Sequence, residues 1–158
     1  MIVFLPEILS ELRSKSLTGA NPLLIRLERR ENEPPNAWEV GWVVFGYKDS
    51  GEDKGKFNYI MLKPNGFGIE VGRSLLNDDQ EFLYTSEYAK DYFPINEAFD
   101  IVMKVKDDIV AMTVNGKTYP PYNILPKNSK NKLTADGKIG FYSEDVAVEV
   151  SNIKVDCP

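Results

Sequence analysis

The sequence predicts an all-β fold: a two-sheet antiparallel sandwich of jelly-roll type, preceded by one short helix. Three observations carry this. Short runs rich in Val, Ile, Phe, Tyr and Trp recur along the chain, many of them alternating with polar residues as a half-buried strand does. Turn chemistry separates these runs at hairpin spacing, with Pro64-Asn65-Gly66, Lys106-Asp107-Asp108 and Asn115-Gly116 as the clearest cases. Helical periodicity is confined to residues 6–15. The pattern amounts to about nine or ten strands with short connections, which is the signature of a sandwich. The chain therefore divides into an N-terminal helical segment over 1–21 and a single β-sandwich domain over 22–158.

Each element has its own reason. Over 6–15, Pro6 suits a first helical turn, Glu7 and Glu11 lie early, Arg13 and Lys15 lie late, and Ile8, Leu9 and Leu12 make one apolar stripe. Residues 23–29 alternate Leu23, Ile25, Leu27 and Arg29 against Leu24, Arg26 and Glu28, a strand with one wetter face. In 38–47, Trp38, Val40, Trp42, Val44 and Gly46 share one face, and Glu39, Gly41, Val43, Phe45 and Tyr47 share the other. Residues 57–63 form a strand that turns through 64–66, as a bulged three-residue hairpin, into an antiparallel return over 67–73. Further strands are expected over 80–86, 99–105, 109–114, 117–119, 138–142 and 146–155, with Asn115-Gly116 as a type I′ turn. Residues 88–97, broken by Pro94, and the Pro- and Asn-rich 120–132 read as loops.

Composition narrows the function. A chain of 158 residues that is 42% hydrophobic and 27% charged supports one core without a disulfide or metal staple. A net charge of -5 opposes a nucleic-acid backbone or an anionic membrane surface. The absence of histidine removes the commonest general base, the commonest transition-metal ligand and every Ser-His or Cys-His nucleophile. The single cysteine, Cys157, cannot form an intrachain disulfide. No run is long and apolar enough for a membrane span, and residues 1–5 lack the features of a secretory leader.

Several segments together resemble the concanavalin A-like lectin/glucanase superfamily: 38–42 (WEVGW), 57–66 (FNYIMLKPNG), 80–83 (QEFL), 137–145 (GKIGFYSED) and 151–153 (SNI). The resemblance covers roughly residues 23–155 and is nearest to small laminin-G-like or glycosidase-associated domains. It implies two antiparallel sheets, a concave face used for glycans, an extracellular setting and, in many relatives, one structural calcium. The Glu-x-Asp-x-x-Glu signature of the related family 16 glucanases is missing, since Glu28, Glu31 and Glu33 do not have that spacing.

Four kinds of site are open. Carbohydrate binding needs aromatic faces with amides and charged groups, and Trp42, Tyr47, Tyr59, Lys63, Asn65, Gln80 and Tyr142 supply those types. Trp38, Trp42 and Tyr59 are equally candidates for the core. Calcium needs several oxygens, which Asp49, Asp53, Asp78, Glu144 and Asp145 offer without matching a complete loop motif. Glycoside hydrolysis or lysis needs a spaced carboxyl pair, whereas Glu144-Asp145 and Asp78-Asp79 are sequence neighbours that face opposite sides of a strand. Protein interaction is the competing class, through Tyr84, Tyr88, Tyr92 and Phe93 around Pro94. The reading is a non-catalytic binding module whose first partner is a glycan or glycosylated surface and whose alternative partner is another protein.

Overall fold

Alternation along the chain builds the first layer. In a computed structural model, which describes residues 3–4, 23–29, 34–52, 54–64, 68–75, 80–86, 93–125 and 133–152, the described elements are all strands. They are β1 (Val3–Phe4), β2 (Leu23–Arg29), β3 (Val40–Tyr47), β4 (Phe57–Lys63), β5 (Gly68–Ser74), β6 (Gln80–Thr85), β7 (Ala98–Lys106), β8 (Ile109–Val114), β9 (Lys117–Thr118), β10 (Tyr122–Asn123), β11 (Lys138–Glu144) and β12 (Val146–Ser151). The helix expected over 6–15 lies outside the described residues.

Two antiparallel sheets result. One runs β1-β11-β3-β4-β5-β6, and the other runs β10-β8-β7-β2-β12 with β9 attached to β8. Between them lies the main core. Val43, Phe45, Ile60, Leu62, Ile69, Val71, Ile139 and Phe141 come from the six-stranded sheet, and Ile25, Leu27, Phe99, Ile101, Met103, Val110, Met112 and Val146 come from the other. The chain changes sheets at Asp145, a single residue at φ 49° between β11 and β12. A forked ion pair from the Arg29 guanidinium to the buried Glu39 carboxylate ties β2 to the entrance of β3 across the layers.

Several expectations are refined. Asn115 and Gly116, at φ 46° and 74°, make the left-handed pair a type I′ turn requires, with Val114 opposite Lys117. Lys63 pairs with Gly68 across the central hairpin, whose turn residues 65–67 lie outside the described residues. The stretch 120–132 is not loop throughout: Tyr122 opposes Val110, and the chain buries Tyr122 and Ile124 there. The last strand ends at Ser151, and Asn152 follows at φ 57°.

Two bulges depart from strict alternation. Gly46, at φ 67°, sits where β3 carries one residue more than β11, so Lys138 faces Tyr47 while Gly140 faces Val44. Tyr47 consequently packs with Trp42 and Val44 instead of with Val43 and Phe45. On β6 the extra residue lies between Phe82, opposite Gly72, and Tyr84, opposite Val71. Phe82 keeps the outer face it shares with Gln80, while Tyr84, past the extra residue, turns toward the other sheet and stacks on Tyr122, ring centroids 4.6 Å apart.

Candidate functional site

The outer face of the six-stranded sheet is neither bare nor simply polar. Registers across the strands set its side chains in rows. One row runs Tyr142, Trp42, Met61, Glu70 across β11, β3, β4 and β5. The next runs Gly140, Val44, Tyr59, Gly72 and ends at Phe82 on β6. A third holds Phe57, Ser74 and Gln80. Val40, Trp42, Val44, Phe57, Tyr59 and Met61 form a second hydrophobic cluster here, flanked by Tyr47 and Tyr142.

The aromatic groups interlock. Trp42 lies 4.5 Å from Tyr59 in a tilted contact and 5.3 Å from Tyr142 edge to face. Trp42 is 6% exposed and Tyr59 0%, so both belong to a packed layer, and the expectation that their rings present open stacking surfaces is corrected. Tyr59 fits because β5 has glycine opposite it: a Cβ at Gly72 would run into Tyr59 Oη and come within 2.9 Å of the Glu81 carbonyl. The tryptophan pair resolves cleanly, since Trp38 precedes β3 and is 68% exposed, its N–H donating to Asn36 Oδ1 at 2.8 Å.

A polar network crosses this layer. Tyr59 O–H donates to Glu70 Oε1 at 3.0 Å and reaches Gln80 Oε1 at 3.5 Å. Lys63 Nζ donates to Glu70 Oε2 at 2.6 Å. Burial, and then the Glu70 charge, hold the Tyr59 phenol well above its ordinary value, so it remains a neutral donor. Burial likewise raises Tyr142, reinforced by the charge of Glu144, to which it is hydrogen-bonded. Burial also raises Glu144, with Asp145 adding to it. The indole Nε1 of Trp42 is buried with no hydrogen-bond partner.

The structure thus brings together Trp42, Tyr47, Tyr59, Lys63, Gln80 and Tyr142, while Asn65 lies outside the described residues. It adds two residues that sequence reasoning missed, Glu70 and Phe82. Glu70 was visible as the lone acid between Ile69 and Val71, two strand positions from glycine on either side. Phe82, 62% exposed, reads in sequence like any strand phenylalanine, and its register opposite Gly72 sets it on the outer face with Gln80.

Among the described residues the oxygen-rich candidates do not converge. Asp49 is paired with Lys138 at 2.6 Å, which lowers its pKa through the hydrogen bond and then the charge. Glu144 faces Tyr142, Asp145 is exposed at the sheet crossover, and Asp53 and Asp78 lie outside the described residues. Among the described residues no three His, Cys, Asp or Glu side chains group as a metal site would need. Glu144 and Glu70 share the outer face, but β11 and β5 are three strand spacings apart, about 14 Å between backbones. Each carboxylate is also held by its own partner, unlike the facing pair of a glycosidase. Of the aromatic rim, Phe93 is buried against Phe99 in the main core, which removes it from any exposed patch; Tyr88 and Tyr92 lie outside the described residues.

No protein-family model and no curated protein matches the chain. Solved structures do. A carbohydrate binding module, CBM66 from Bacillus subtilis, superposes with a TM-score of 0.62 at 10% identity, covering 93% of this chain and 84% of its own. A double variant of human galectin-16 gives 0.58 at 11% identity, covering 99% and 94%. At such identities the likeness is one of fold: a jelly-roll β-sandwich of lectin type, coarsely the architecture that the sequence resemblance implies. These two neighbours do not single out the laminin-G-like or glycosidase-associated branch.

Proposed function

We propose that this chain is a non-catalytic carbohydrate-binding module that takes a glycan or glycosylated surface on the outer face of its six-stranded sheet. One observation carries the reading: an exposed phenyl ring, Phe82, stands beside the exposed amide Gln80, which borders the prepositioned Tyr59–Glu70–Lys63 network. Sugar rings present apolar C–H faces that stack on aromatics, and hydroxyls that bond to amides and carboxylates. The fold shared with a carbohydrate binding module supports a carbohydrate-binding role. Trp42 and Tyr59 act beneath it as the support that holds the polar groups in place, and Tyr47, Tyr142 and Lys63 border it.

The test is a glycan-array screen with titration calorimetry on the hits. Phe82→Ala and Gln80→Ala are each expected to weaken binding about tenfold, roughly 1.4 kcal/mol, without lowering Tm. Undiminished affinity in both variants, or no glycan bound by the native chain, overturns the proposal.

A further inference from the structure

We propose that this face selects neutral glycans over anionic ones, and that Glu70 sets the selectivity by cancelling the charge of Lys63; the inference rests on the carbohydrate reading above. An exposed lysine beside a sugar site is ordinarily a receptor for carboxylate or sulfate. Here its ammonium is 2.6 Å from Glu70 Oε2. The other oxygen of that carboxylate accepts from the buried Tyr59 phenol, so Glu70 is gripped on both sides and cannot swing off Lys63. At the border of the face Lys138 is engaged in the same way by Asp49, at 2.6 Å.

Among the described residues on the strands of this face, the remaining formal charge is negative. Glu144 stands on the outer side of β11 two residues from Tyr142, whose phenol is its hydrogen-bond partner and is neutral. Among the described residues the buried side-chain atom left unpartnered on this face is Trp42 Nε1, an uncharged N–H donor. A carboxylate or sulfate brought to this face finds the two lysines on its strands, Lys63 and Lys138, already paired and meets Glu144, and like charges set against each other disfavour a partner strongly.

The experiment measures matched pairs on the full chain: galactotetraose against tetragalacturonate, lactose against sulfated lactose, and fructotetraose against its sulfated form. The neutral member of any pair that binds is expected to bind at least about tenfold tighter than its anionic counterpart, with the gap narrowing as salt rises. Glu70→Gln, which keeps an acceptor for Tyr59 but releases Lys63, is expected to bring the ratio close to one. Lys63→Met, which leaves Glu70 uncompensated, is expected to widen it. Opposite movement of the ratio in the two variants is something a merely structural role would not produce, and if one variant fails to fold, movement of the other against its expected direction overturns the proposal. Equal or tighter binding of the anionic members by the native chain overturns the selectivity while leaving the carbohydrate reading intact. Absence of binding across all pairs, together with no glycan bound on the array, overturns both.

Discussion

The outer faces of the two sheets are built on different terms. On the five-stranded sheet, β7 and β8 alternate: Phe99, Ile101, Met103, Val110 and Met112 point inward and are buried, while Lys104, Lys106 and Ile109 lie exposed. β12 does the same with Ala147, Glu149 and Ser151 on the open side. On the six-stranded sheet, β3, β4 and β5 are buried at almost every position, because Val40, Trp42, Val44, Tyr59 and Met61 form a second packed layer behind the core. A face that only meets water needs alternation and nothing more. A face that carries two aromatic rows, a phenol–carboxylate–ammonium chain and an unpartnered indole N–H has been given more order than solvation requires, which is why the site is placed there.

The largest test of this contrast is truncation. Trp42→Ala is expected to cost about 3–5 kcal/mol, as for a packed core aromatic. Ile109→Ala, on the open side of the other sheet, is expected to cost about 0.5 kcal/mol or less in the same denaturant melts. Equal costs would erase the distinction between the faces.

Next comes Gly72→Ala, which pushes a methyl into Tyr59 and is expected to cost about 1–3 kcal/mol by overpacking. Tyr59→Phe, by removing the hydroxyl the methyl meets, is expected to recover part of that loss, so a double-mutant cycle should show coupling between the two positions. Additive costs would mean that Tyr59 does not lie over Gly72.

The smallest effect is one of pH. Because burial raises the Glu144 pKa above its ordinary 4.5, the folded chain holds that proton more firmly than the unfolded chain. The contribution is therefore fully present below the ordinary value and is lost as pH rises through the elevated one. Glu144→Gln should flatten Tm against pH in that window, and an unchanged slope would put the carboxyl in water.

The layered fold was largely legible, because period-two runs and turn residues are local signals. Leu23–Arg29, Phe57–Lys63 and Ile109–Val114 all appear as strands where their patterns place them. The site was half legible. Trp42, Tyr59, Gln80 and Tyr142 were named from residue type alone, and the registers put them on one face. Their burial was not readable, because a strand packed on both sides shows a continuous apolar run and hides which rings remain open. Glu70 was missed because its meaning depends on Lys63 and Tyr59 across the hairpin, and Phe82 because its exposed place opposite Gly72 depends on the register between β5 and β6. The metal candidates were chosen for acidity, but Asp49 turns out to have a lysine against it.

The kink at Gly46 has the widest reach. A pleated ribbon assigns its side chains by parity, much as a message is read in a fixed frame, and one supernumerary residue resets the frame for the rest of the strand. Tyr47 is the ring recovered by that reset. Deleting a single residue from β3 ahead of Trp42 would therefore exchange the contents of the two sides, sending Trp42 inward and Phe45 out, and the outer aromatic face would vanish without the loss of any residue that composes it.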